Sequence, residues 1–203
     1  MGLVYNPLLG LGLDQTGASP AATPGGSNTQ VQYNDAGALV GDANFTWNKT
    51  TRAITASGFK FPATQFSSAD PNTLDDYEEG SWTPALTGTT AVSYANQVGR
   101  YTKIGRLVTI QFVLQTNSQT YTSTGATFAI SGLPFAGTFP GYTAGDGAAN
   151  LYSITFTGYV LCSVNSSSLN LTQIQSAGAF SSLTNAAALP GFIVQGIISY
   201  ITT

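Results

Sequence analysis

Histidine is absent from the 203 residues, cysteine and methionine occur once each, and Lys and Arg together number six. Each shortage removes a class of function. Without histidine there is no Ser-His or Cys-His nucleophile and no zinc site of the usual Cys/His kind. With Cys162 alone no intramolecular disulfide forms. Six cations at a sequence pI of about 4.5 do not make the basic footprint that nucleic acid requires, so no nucleic-acid partner is expected. Charged residues are only 7% of the chain, yet no run approaches the ~18 unbroken apolar residues of a spanning helix. Its most apolar window, 186–198, is cut by Pro190, Gly191, Gln195 and Gly196. The opening MGLVYNPLLGLGL lacks a cationic start, so neither a signal peptide nor membrane insertion is expected.

Hydroxyls, glycine and aromatics take the place of charge. About a quarter of the chain is Ser or Thr, and there are 23 Gly, 10 Tyr and 11 Phe. Disordered chains share the Ser and Gly but shun aromatics. Aromatic and β-branched residues separated by Gly/Asn/Ser turns describe an all-β protein.

Four zones follow along the chain. Residues 1–27 join an apolar cluster (Leu3, Val4, Tyr5, Leu8, Leu9) to the Pro/Gly/Ala spacer SPAATPGGS. Pro7, Gly10 and Gly12 break any helix there, so an extended anchor peptide buried by a larger assembly is expected. Residues 28–61 alternate in very short strands: Val31 and Tyr33, Leu39 and Val40, Phe45 and Trp47, Ile54 and Ala56. About 30 residues of hairpin cannot bury those rings within one chain; this zone reads as a stem that self-associates. Residues 62–80 form a linker that holds five of the nine carboxylates. Residues 81–203 read as one antiparallel β-sandwich head, jelly-roll-like. Its clearest strand, 106–115, sends Val108, Ile110, Phe112 and Leu114 to one face. Further strands are expected at 90–94, 98–104, 127–130, 151–157 (with Tyr152, Ile154 and Phe156 on one face), 159–164, 168–175 and 192–202. A short helix is expected only at 181–189.

The string PGGSNTQVQYNDAGALVGDANFTWNKTTRAITASG resembles a stem segment found in many bacteriophage fibre proteins, and LDDYEEGSWTPALTG followed by GRYTKIGRLVTI resembles the junction and first distal strands of the same family. The similarity covers roughly residues 24–110. It implies a homotrimeric virion fibre whose N-terminus attaches to a tail or capsid protein and whose C-terminal head meets the host surface. Around a threefold axis, side chains meet copies of themselves, which suits apolar groups. Tyr33, Phe45, Trp47, Ile54 and Phe59 are therefore the expected trimer core.

Asp75, Asp76, Glu78 and Glu79 are a carboxylate run of the type glycosidases use in pairs. Neighbours in an extended run point to opposite faces, and the run stands where the family has a junction. No catalytic residue is therefore expected, and the chain reads as a non-enzyme. Arg100, Lys103 and Arg106 are half of all cations and follow closely in sequence; they are the expected partners of those carboxylates, linking head to stem. Tyr121, Phe139, Tyr142, Asp146 and Asn150 combine rings with short polar groups, as glycan sites do, and are the expected receptor contacts. The loop GYTAGDGAAN does not match a Ca²⁺ loop pattern, and neither metal nor cofactor is expected. A passive capsid decoration and a polysaccharide depolymerase are the alternatives to a receptor-binding fibre.

Overall fold

The computed structural model describes residues 24–64, 68–70, 72–121, 125–141, 143–175 and 178–203, together with the backbone of two short N-terminal strands. It is all-β and divides into two compact units, Met1–Lys60 and Phe61–Thr203. No helix among the described residues is long and apolar enough to cross a membrane.

In the first unit β1 (Val4–Asn6) pairs antiparallel with β2 (Leu11–Leu13). The expected anchor side chains Leu3, Val4, Tyr5, Leu8 and Leu9 lie outside the described residues. A three-stranded sheet follows, β3 (Gln30–Asp35), β4 (Ala38–Asn48) and β5 (Ala53–Thr55), in that order. Ala36 and Gly37 both have positive φ, so the Asp-Ala-Gly turn closes β3 on β4, and Asn34 Oδ1 accepts the Gly37 N–H at 2.8 Å. Asn48 Oδ1 turns β4 into β5 by accepting the N–H groups of Thr50 and Thr51. The Gly25-Gly26 pair is held by the Gln32 side chain, which accepts the Gly25 N–H and donates to its carbonyl. A Cβ on Gly25 would stand 2.0 Å from the Leu39 carbonyl oxygen, so only glycine fits. Two short strands expected at Leu39–Val40 and Phe45–Trp47 are one eleven-residue strand; the Gly41 break is absorbed by a register shift against β3 rather than by a turn.

The second unit holds two antiparallel sheets. The first has the order β12 (Ala149–Ile154), β16 (Ala188–Ile201), β9 (Leu107–Tyr121), β8 (Thr89–Ile104), β6 (Tyr77–Trp82). The second has the order β11 (Gly145–Gly147), β13 (Tyr159–Asn165), β14 (Ser168–Ile174), β10 (Ala129–Ser131), β7 (Ala85–Leu86), with β15 (Phe180–Ser182) also on β14. Alternate residues of both sheets meet in one apolar core: Ile110, Phe112, Leu114, Val194 and Ile198 from the first, Ile130, Cys162, Val164, Leu169 and Leu171 from the second. Phe128 stacks edge-on against Phe192 at 5.3 Å between centroids. The arrangement is consistent with a β-sandwich.

Four expectations are corrected here. Strands at 90–94 and 98–104 are a single β8, because bulges near Ser93–Asn96 realign the pairing with β9 without ending the strand. The expected inward face Tyr152, Ile154 and Phe156 does not form. Ser153 takes φ 55° and shifts the register, so Leu151 packs on the core while Tyr152 is 54% exposed. The expected helix at 181–189 is β15 and a single 3-10 turn, Asn185–Ala187. The acidic stretch also belongs to the second unit rather than to a separate linker, since Tyr77–Gly80 form most of β6.

The strand pair β6–β8 shows why the GSW and GRY triplets are spaced as they are. Gly80 is the cross-strand partner of Tyr101, and Gly99 that of Trp82. Each ring lies over the opposite glycine: a Cβ on Gly99 would stand 2.5 Å from the Trp82 indole nitrogen, and one on Gly80 2.5 Å from the Tyr101 hydroxyl. Gly99→Ala is therefore expected to cost about 1–3 kcal/mol, read as a lower urea midpoint. Gly58→Ala, where nothing lies within 4 Å of the added carbon, is expected to change the midpoint little and serves as the control.

Candidate functional site

The chemistry-bearing side chains gather where β6 begins beside the end of β8. In register, Tyr77 faces Ile104, Glu78 faces Lys103 and Gly80 faces Tyr101. Residues two apart share a face of a strand, so Asp76, Glu78, Gly80 and Trp82 lie on one side of β6, matching Gly99, Tyr101 and Lys103 on β8. This is the side that carries buried Trp82 and Gly99. Asp76 and Lys103 form an ion pair, with side chains 9% and 4% exposed. The Asp76 carbonyl also accepts the Gly105 N–H at 2.9 Å, which holds it at the β8–β9 turn. The Lys103 ammonium sits 5.4 Å from the centre of the Phe135 ring, and Tyr101 meets that ring edge-on at 5.3 Å. Tyr101 donates its hydroxyl to Glu78 Oε1. Asp76, Glu78, Lys103, Phe135 and Thr202 line an open cleft of about 520 Å³.

The expected links between carboxylates and cations thus take a specific form. Asp76 pairs with Lys103 inside the second unit. Asp75 Oδ2 accepts the Ser68 N–H, and Glu79 accepts the Tyr77 hydroxyl. Arg100 and Arg106 make no ion pair among the described residues. Arg100 instead points from the opposite face of β8, with Glu79, Ser81, Thr102, Thr109 and Gln111, into a shallow cleft of about 700 Å³. Sequence pattern could not separate Lys103 from its neighbours, because which cation turns inward depends on the register of β8 on β9, which sets Lys103 opposite buried Val108.

The expected receptor contacts do not converge. Tyr121 ends β9 with its hydroxyl buried, which removes it from the exposed set; burial pushes its phenol up to about 12, with the Gln119 side chain partly opposing. Phe139 is exposed in the segment before β11. Asp146 lies on β11, at the edge of one sheet, where it accepts the Thr143 hydroxyl at 3.4 Å. Asn150 lies on β12, at the edge of the other sheet, opposite Gln195. Tyr142 lies outside the described residues. The expected trimer-core residues are all in the first unit's three-stranded sheet or just after it: Phe45 is half-buried, and Tyr33, Trp47, Ile54 and Phe59 are exposed.

The tyrosines predict the alkaline limit of the fold. The Glu78 hydrogen bond, then burial, push the Tyr101 hydroxyl up to about 12, and burial does the same for Tyr200, from an ordinary value of 10. Above pH 10 the unfolded chain loses these protons while the native state keeps them, so stability falls as pH rises. Their contribution is complete below pH 10 and is lost by about pH 12. Urea midpoints measured from pH 9 to 12 are expected to fall through that window, and ultraviolet titration of the folded protein is expected to show Tyr101, Tyr121 and Tyr200 ionising late.

Comparison with family models, with curated proteins and with solved structures finds no match to this chain.

Proposed function

We propose that this chain is a homotrimeric structural fibre of a bacteriophage particle. Residues 1–27 would anchor it to a tail or capsid protein, the sheet of residues 28–61 would trimerise as a stem, and a jelly-roll-like head would bind a host-surface glycan. The observation that carries the reading is in the first unit. None of the described residues 24–60 is buried, although the segment carries Tyr33, Leu39, Trp47, Ile54 and Phe59. Phe59 is 69% exposed and Trp47 41%. A three-stranded sheet without an interior is marginal alone, and apolar side chains in this density are covered by association. The resemblance of this segment to phage fibre stems argues for the occupant, further copies of the same chain, and for threefold order.

In this reading the head acts by avidity: three weak glycan contacts per fibre and many fibres per particle multiply. Sedimentation equilibrium of the full chain tests the assembly. A mass of three chains is the expected result, and a stable single subunit would refute the stem. Competition tests the head. If the trimer blocks adsorption of the particle to its host, the receptor role stands; if it binds the particle but leaves adsorption unchanged, the chain is a passive decoration.

A further inference from the structure

We propose that Lys103 and Asp76 condense into an intramolecular amide, a covalent cross-link between the start of β6 and the end of β8. This inference does not rest on the fibre reading. Its starting point is a chain that is poor in charge yet buries an ammonium and a carboxylate in direct contact. Such a pair is no better for stability than apolar residues of the same volume, so stability alone does not account for it.

The surroundings are those an amide-forming reaction needs. The Phe135 ring lies over the amine, whose side chain is buried. Glu78 is the register partner of Lys103, shares the strand face of Asp76 and lines the same cleft. The Tyr101 hydroxyl holds the Glu78 carboxylate by a hydrogen bond, and the T-shaped contact of Tyr101 with Phe135 fixes that hydroxyl in turn. The fold thus keeps amine and carboxyl in contact, an arrangement whose effective molarity reaches roughly 10⁵–10⁸ M in well-oriented systems.

The step balances without a co-reactant. One proton moves from Lys103 Nζ to the Asp76 carboxylate, giving a neutral amine and a neutral acid. The nitrogen lone pair attacks Asp76 Cγ and forms the N–C bond. Glu78 takes the second proton from nitrogen and delivers it to the departing hydroxyl. The C–O bond breaks, one water leaves, and no atom changes its oxidation state. Two buried charges are replaced by one amide, which removes their desolvation cost.

The intact mass of the purified full chain, measured under denaturing conditions, tests the proposal. The expected mass is one water below that of the linear polypeptide, and digestion is expected to yield a branched peptide joining the Asp76 segment to the Lys103 segment. An unmodified mass, or a water loss mapped elsewhere, overturns the cross-link. Asp76→Ala and Lys103→Arg are expected to run at their full linear masses. Glu78→Gln preserves the ion pair and is expected to slow condensation by about 10²-fold or more, followed as the cross-linked fraction over time. An unchanged rate in Glu78→Gln would overturn its role as the proton carrier. The wild-type mass decides the main point even if a variant folds poorly.

Discussion

Replacing Lys103 with Met is expected to destabilise the Phe61–Thr203 unit by about 3–5 kcal/mol relative to the uncondensed ion-paired chain, lowering its melting temperature by on the order of 10 °C. The cause is what the substitution leaves behind. Asp76 is then a carboxylate without its partner, under a side chain that no longer carries charge. It sits at the start of β6, the edge strand of the five-stranded sheet. The Phe135 ring loses its cation. The double variant Asp76→Leu/Lys103→Met removes both charges and is expected to cost less than either single change. That order, with the double milder than the singles, distinguishes a desolvated pair from an exposed one worth ~0–1 kcal/mol. Urea unfolding of the full chain followed by tryptophan fluorescence measures it, each change being made in the Glu78→Gln background that keeps the pair uncondensed; a Lys103→Met loss under about 1 kcal/mol would show that the pair is solvated.

The second large effect is expected in the first unit. Trp47→Asp combined with Ile54→Asp should convert the proposed trimer into monomers at micromolar concentration, as read by sedimentation velocity. Trp47 and Ile54 are cross-strand partners on β4 and β5, so the two changes strike one patch. Covering each side chain in the assembly is worth about 1–2 kcal/mol, and threefold symmetry repeats the loss three times. Six aspartates near one axis add like-charge repulsion. Thr50→Asp, an exposed change in the nearby turn, is expected to leave assembly intact. If the double variant sediments as the wild type does, those side chains are not at a subunit contact.

The strand faces with strict alternation were legible because a buried sheet face must be apolar at every second residue. Val108, Ile110, Phe112 and Leu114 were read inward and are buried, as are Phe192, Val194, Ile198 and Tyr200. The reading failed where a bulge intervened. Nothing in LYSITF announces that Ser153 takes a positive φ, and one such residue moves Tyr152 from the core to the surface. The same limit applies to β8, whose bulges keep one strand continuous where polarity implies two.

For the candidate site, composition and spacing isolated the right neighbourhood, an acidic run and a basic cluster, but not its geometry. Short hydroxyl-rich loops hold no record of which distant segments will meet. The expected receptor residues scattered for that reason: Asp146 and Asn150 are four residues apart in the chain yet sit on different sheets.

By itself the sequence determined the all-β class, the absence of histidine and disulfide chemistry, and the shortage of interior in residues 28–61, since these follow from residue counts and from the period-two alternation. Only the tertiary structure decided that Lys103, rather than Arg100 or Arg106, turns inward to Asp76. Lys103 turns inward because it stands opposite buried Val108 in the pairing of β8 with β9, and the register of β6 on β8 brings Asp76 to the same face, where a slip of β6 by one residue would carry Asp76 and Glu78 to the other side.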